Sequence, residues 1–509
     1  MNPIARLQKF PKPLLIWDCQ KIHYRRLVDI YSKDGAYVDN SDTGTGKTPM
    51  TLAIAKTFDL NIFVVSPKST LSNWRTSSAT YGIGVIKVIS YASLHGSEDR
   101  ELNHEFLIRK GKEFYPTKKF KDAVRKGLLL VFDECQNIKN DNPQFAAAYA
   151  LAKCVIKMSR KHSLKSGVAL LSATPIDKKD HTISLLKMLG IITSFKLHDK
   201  NGALLGLQEA IDYARELDPQ TTNFIASQPV NKASAYDILL ELYVNVIKKY
   251  VSSALPPIIT NKDAKNGYYD FPETDLILLK KGIEMLSLAS RSCRSIPDAL
   301  VTEKKKSNNI TTALIIIEKA KTNTMVRLAR QQLEADPNCK VLLYFKYLEN
   351  INAAAQALSD YSPLKIIGCS TEDERTDDRA KFQANSNKYR VLISNPQVSG
   401  VGVELDDKFG GHERYMYMIP NYYFIDSHQT AGRICRAGSK SIGHIRFVYS
   451  KAFPIESSII NAMMRKNRVI RAVIDDPDRT IVLPGEYGIE IEGCTDKDEH
   501  TEYSKLWQT

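Results

Sequence analysis

Two stretches of this chain set short apolar runs between longer segments of helical spacing, and a third stretch lying between them does not. In the first, residues 61–66 (NIFVVS), 85–90 (VIKVIS), 127–132 (GLLLVF) and 168–172 (VALLS) are short and predominantly apolar. That pattern predicts strands covered on both faces, as in parallel sheets flanked by helices. Residues 340–345, 364–367, 389–394, 415–419 and 442–449 repeat it in the second. Between the blocks, 201–217 and 237–255 carry Leu, Ile and Val at helical spacing, Leu255 precedes two prolines, and KKKSNN at 304–309 reads as a solvated linker. The expected organisation is therefore an α/β lobe over 1–195, a mostly helical insert and linker over 196–310, a second α/β lobe over 311–485, and a polar tail over 486–509.

In such sheets ligands gather at the carboxyl ends of the strands, so the residues following each run matter most. Before the first run stands SDTGTGKTPM, Ser41 to Met50. Its pattern is that of a phosphate-binding loop: Thr43, Gly44, Thr45 and Gly46 turn backbone N–H groups inward, Lys47 supplies a point charge, and the Thr48 hydroxyl suits Mg²⁺. The loop departs from the usual pattern twice. Ser41 occupies a position normally glycine, and Pro49 follows Thr48, tolerable because the first helical turn has spare N–H groups.

Three further motifs follow in order. VFDECQ delivers Asp133 and Glu134 to the end of an apolar run. One carboxylate can hold Mg²⁺ while its neighbour orients and deprotonates a water, although an acidic turn would read the same way in isolation. LLSATPID places Ser172 and Thr174 at the next strand tip, where a helix cap is the plainer alternative. HQTAGRICRAGSKS spaces Gln429, Gly432, Arg433, Arg436 and Gly438 as Q-x-x-G-R-x-x-R-x-G. On a helix, arginines three apart share a face; they serve either a surface salt-bridge lattice or, as arginine fingers, the transition state of phosphoryl transfer.

Composition narrows the setting. The 509 residues are 43% hydrophobic and 25% charged, and 71 Lys and Arg against 57 Asp and Glu leave +14, a balance that favours polyanions. The eight cysteines are scattered without CxxC or metal-ligand spacing, as expected of free thiols in a reducing compartment. No apolar run approaches the roughly 18 residues of a membrane helix, and the proline-broken start is not a signal peptide. An intracellular protein with no membrane partner is expected, in the cytoplasm or nucleus.

Taken in that order, GTGKT, DECQ, SAT and QxxGRxxRxG resemble the superfamily-two helicases and translocases over about residues 14–475. VVSPKSTLSNW (64–74), ISYASL (89–94), NPQVSGVGVELDD and PIESSIINAMMRKNRVI are similar to the Swi/Snf-like branch, and the compact size suggests a viral or phage member. The resemblance implies two RecA-like lobes and an ATPase driving a helicase or translocase. ATP and Mg²⁺ would sit on Lys47, Thr48, Asp133 and Glu134; Gln429, Arg433 and Arg436 would complete catalysis. Gln20 would read the adenine edge, unless it simply faces solvent, and Gly402 would line a nucleotide-facing turn. Ser172 and Thr174 would couple the nucleotide to the polymer, while Lys68, Trp74, Ser90 and Tyr91 would touch nucleic acid, DNA in preference to RNA. Tyr422 and Tyr423 either stack on bases or pack in the core. DECQ replaces the commoner DEAH or DEAD, so Gln136 is expected to couple to the SAT motif differently. A nucleotide-regulated scaffold without motor activity is the alternative of another class.

Overall fold

The computed structural model describes residues 18–255, 262–290, 308–396, 404–419 and 430–450, apart from 43, 97–101, 103, 194–204, 229–231, 431 and 436–437, together with Val469 and Val473. The chain divides into two compact units, Met1–Ile258 with Val469–Arg479, and Ile259–Arg468 with Thr480–Thr509.

Six parallel strands form the first unit's sheet: β1 (Ala36–Asp39), β2 (Asn61–Ser66), β3 (Val85–Ser90), β6 (Leu128–Asp133), β7 (Gly167–Leu171) and β8 (Ser252–Ser253), in the order β3-β2-β6-β7-β1-β8. Every residue of β1, β6 and β7 is buried, and β6 and β7 accordingly read as apolar runs. One face is covered by α1 (Lys21–Asp34), α2 (Lys47–Phe58) and α3 (Leu71–Tyr81), whose Leu27, Leu52, Ile54 and Trp74 share one cluster. The other face carries the hairpin β4 (Leu107–Lys110) and β5 (Glu113–Pro116), then α4 (Tyr91–His95), α5 (Lys118–Lys126), α6 (Pro143–His162) and α7 (His181–Met188). Asn142 starts α6 by accepting the Phe145 N–H at 2.9 Å, with Pro143 in the first turn.

The expected helical insert is not a separate body. Its helices α8 (Leu205–Leu217), α9 (Pro219–Ala226) and α10 (Lys232–Leu242) bury Leu207, Ile225, Ile238 and Leu239 in the same cluster as α6, and the strand that leaves them, β8, extends the first sheet beside β1. The boundary therefore falls at 258 rather than at 195. Burial of their apolar faces against the lobe, not composition, decides membership.

The second unit has its own parallel sheet: β9 (Lys262–Tyr269), β10 (Lys340–Tyr344), β11 (Leu364–Ile366), β12 (Val391–Ser394), β13 (Arg414–Met418) and β14 (Gly443–Ser450), ordered β11-β12-β10-β13-β14-β9. Helices α11 (Glu273–Ser290) and α12 (Asn308–Ala335) contribute Leu279, Ala320 and Leu333 to its core, and α13 (Leu348–Ala357) adds Ile351 and Ala354. A further helix, α14 (Glu372–Gln383), starts with a capping box between Thr371 and Glu374. The second lobe thus begins at 259 instead of 311, because β9 pairs with β14 over eight residues. Strand β9, KDAKNGYY, has no apolar signature; Asp263 ties it in by accepting from Arg446 at 2.6 Å and lying 3.0 Å from His444 Nδ1. Burial opposes the Asp263 charge, but His444 and Arg446 outweigh it and hold the carboxyl well below its usual range.

Candidate active site

All strands of the first sheet are parallel, so their carboxyl ends share one edge, and β7 separates the loop after β1 from the tip of β6. Two inter-strand spacings of roughly 4.8 Å put the phosphate-type loop and the acidic pair about 10 Å apart at that edge. This topology gathers Lys47 and Asp133, 86 residues apart in sequence.

The loop is built as its residues require. Gly44 and Gly46 take φ of 77° and 102°, left-handed values that strain any side chain, and a Cβ on Gly46 would stand 2.6 Å from Gln20 Nε2. Gln20 is buried and donates from Nε2 to the Thr45 carbonyl at 2.9 Å, so it braces the loop from beneath instead of facing solvent. Lys47 Nζ donates to the carbonyls of Ser41 (2.9 Å) and Asp42 (3.0 Å), which holds its charge at the loop mouth. The α2 helix opens at Lys47, placing Thr48 and Pro49 in its first turn. Thr43 lies outside the described residues.

Ser41 uses the side chain that a glycine would lack. Its Oγ accepts the Leu255 N–H at 2.9 Å and lies 3.3 Å from His23 Nε2, while its N–H donates to Asp39 Oδ1 at 3.0 Å. His23 also reaches Ser253 (2.8 Å), and Ser252 donates to Asn40 Oδ1 (2.8 Å). Burial works against the Asp39 charge, but His23, Ser41 and Lys47 together leave its carboxyl below the usual value. The exit of the helical segment is thereby pinned beneath the loop.

At the end of β6, Asp133 Oδ2 accepts from Trp74 Nε1 at 2.8 Å and from Ser66 Oγ at 2.9 Å, and the Asp133 carbonyl accepts the Tyr91 hydroxyl at 2.7 Å. Both side-chain bonds fall on one oxygen; among the described residues none hydrogen-bonds the other. Burial and the Glu134 charge raise the Asp133 carboxyl, against the pull of Trp74, Ser66 and Lys47. Glu134 is left-handed, φ 53° and ψ 55°, a conformation uncommon for a side chain of its size and characteristic of sites held by their surroundings. Its Oε2 accepts from Gln136 Nε2 (2.8 Å), Gln136 Oε1 accepts from Ser172 Oγ (2.6 Å), and Ser172 Oγ accepts the Thr174 N–H (3.0 Å). Gln136 therefore links the acidic pair to the SAT strand tip directly.

The donor set fits a Mg²⁺–nucleotide complex: a hydroxyl at a helix start, a carboxylate with one oxygen already satisfied, and a loop with two left-handed glycines, the conformation that lets backbone N–H groups turn towards an anion. Thr48 and Asp133 would hold the ion.

Other expectations fare differently. Trp74 is fully buried and Tyr91 nearly so, with their polar atoms turned to Asp133, so neither offers a ring to nucleic acid. Ser90 caps α4 by accepting the Ser93 N–H at 3.0 Å. Lys68 alone of the four is exposed. Arg433 sits in a turn, 3% exposed, its N–H on the Thr430 carbonyl; the expected helix does not form across 432–435, where the Arg433 carbonyl instead accepts from Leu405. Gly402, Gln429, Arg436, Tyr422 and Tyr423 lie outside the described residues. Sequence reading missed Ser66, His23 and Asp39; for Ser66 the available signal was its place at the carboxyl end of the strand beside β6.

No family model matches the chain. It is 24% identical over 472 residues, 90% of this chain and 83% of the other, to "Putative ATP-dependent RNA helicase L364" of Acanthamoeba polyphaga mimivirus. Among solved structures, the Sulfolobus solfataricus SWI2/SNF2 ATPase core in complex with dsDNA aligns over 91% of this chain and 93% of that one, at 15% identity and a TM-score of 0.29, too low to support a structural argument. The mimivirus relative, similar along nearly the whole chain, bears out the resemblance to superfamily-two helicases.

Proposed function

We propose that this chain is an ATP-dependent nucleic-acid motor, a helicase or a translocase, acting on DNA in preference to RNA. The observation that carries the reading is the Asp133–Glu134 pair at a strand tip, two strand positions from the Lys47 loop and wired through Gln136 to Ser172. Lys47 and the loop N–H groups bind the triphosphate; bound Mg²⁺ would neutralise its charge. Glu134, oriented by Gln136, accepts the proton of the attacking water. The Gln136–Ser172–Thr174 relay passes the state of the acidic pair to the neighbouring strand end. By the superfamily-two resemblance, Gln429, Arg433 and Arg436 complete the reaction.

The preference for DNA rests on the Swi/Snf-like motifs. RNA is the second reading, favoured by the name of the mimivirus relative, a putative ATP-dependent RNA helicase. ATP turnover measured without polymer and with single-stranded DNA, duplex DNA or RNA decides between them. Duplex stimulation with triplex displacement but no strand separation identifies a translocase, whereas turnover indifferent to every polymer refutes the motor. Lys47→Ala is expected to abolish turnover with nearly unchanged melting, since among the described residues its ammonium hydrogen-bonds loop carbonyls and packs into no core cluster.

A further inference from the structure

The chain's excess of positive charge is concentrated. Residues 105–126 and 143–165 hold thirteen Lys and Arg against three Asp and Glu, and so supply +10 of the +14. These are the β4–β5 hairpin, α5 and α6, and all three lie on one face of the first sheet: Leu107, Phe114, Phe120, Val124, Leu151 and Val155 enter a single apolar cluster. Their cations are turned outward as a result. Lys121 and Arg125 lie close enough to Cys154 to act on its thiol, so the cationic rows of α5 and α6 run side by side.

Helix α6 has no acidic residue in its twenty positions, and Lys153, Lys157, Arg160 and Lys161 are exposed along it at about one per 5.4 Å turn. Like charges at that spacing repel and lower helix stability unless a polyanion lies against them. The three nearby carboxylates are engaged locally: Glu105 with Lys119 (2.7 Å), Asp122 with Arg125 (2.6 Å), Glu113 with the Tyr115 hydroxyl. Since α5 leads into the amino end of β6 and α6 towards that of β7, Arg125, Lys126, Arg160, Lys161 and Lys165 stand at the sheet edge opposite Lys47 and Asp133.

We propose that this face is a second docking surface for nucleic acid, gripping the phosphate backbone without regard to sequence and separate from the nucleotide-bearing edge. It rests on the motor reading only for the identity of the polyanion. Nucleic acid is chosen over an acidic protein segment because the charge ladder is even and because Tyr115 (45% exposed) and Ile108 (50%) pair across the hairpin beside Lys110, a combination of aromatic surface and cation that accepts a base.

The test is fluorescence anisotropy of labelled duplex and single-stranded DNA on the full chain without nucleotide, over a salt series. Lys153→Gln, Lys157→Gln and Lys161→Gln combined should weaken binding by about tenfold or more and flatten the slope of log K against log salt by about 2–3. The matching Lys→Arg variant should restore both, and nucleotide turnover without polymer should not change. If the wild type binds and the Gln variant binds equally with the same slope, the docking surface is refuted and the motor stands. A wild type that binds no polymer, and whose turnover ignores all of them, removes both. Loss of polyglutamate binding without loss of DNA binding reassigns the face to an acidic protein segment.

Discussion

An indole with no exposed surface cannot stack on a base, and Trp74 spends its N–H on Asp133 instead. The motif around it suggests a contact with nucleic acid, whereas the fold turns the ring inward onto Asp133, because one-dimensional spacing does not show which way the indole nitrogen points. Trp74→Phe keeps an aromatic ring and removes the donor. A hydrogen bond to a charged group is worth about 1.5–3 kcal/mol, so kcat should fall by roughly 10- to 100-fold while KM for the nucleotide moves little. Ser66→Ala should act in the same direction, since its hydroxyl donates to the same oxygen. Steady-state kinetics at saturating nucleotide decide it; an unchanged kcat in both variants would mean the two donors merely fill space. Gln136 shows the opposite case: its departure from DEAH was visible in the sequence, and the fold supplied the partner, Ser172.

At the scale of elements, the strands found from sequence were those carrying apolar runs of several residues, and those missed were too short or too polar to show one. Strand β1 is only four residues, β4 and β5 form a half-exposed hairpin, and β9 is polar yet registers with β14 along its length. Edge and hairpin strands are stabilised by backbone pairing and by contacts such as Asp263 with Arg446, which leave no apolar periodicity to read. Helix α12 carries a comparable surprise: Lys321 is buried, donates to the Val448 carbonyl at 3.2 Å and stands over the Tyr449 ring, and burial pushes its ammonium down to about 7. Between about pH 7 and the ordinary lysine value near 10.4, the unfolded chain holds a proton that the folded chain lacks, so this group makes stability rise with pH across that window. Lys321→Met should therefore stabilise the protein at pH 7, by on the order of 2 kcal/mol, and lose that advantage towards pH 10. Urea unfolding of both proteins at the two pH values measures it, and an equal difference at both would show that the lysine is charged in the fold.

For the whole molecule, the chain order of elements and the grouping into units differ. Val473, fully buried, and Val469 belong to the first unit's core although they follow the second unit in sequence. Val473→Asp should lower the melting temperature of the protein and impair nucleotide binding on the first unit, because an unpaired carboxylate would replace a methyl pair inside that core; calorimetry checks the melting and nucleotide titration the binding, and normal values for both would separate this segment from the unit. The sequence by itself determined where the longer apolar strands lie, where the phosphate-type loop and the acidic pair stand along the chain, and that a polyanion is the expected partner, because these depend on residue type and spacing within a few residues. Tertiary structure alone decided that the helical segment joins the first unit, that Trp74, Ser66 and Tyr91 surround Asp133, and that most of the net positive charge shares one face. Those outcomes depend on which surfaces meet when distant segments exclude water together, and no local pattern records the meeting.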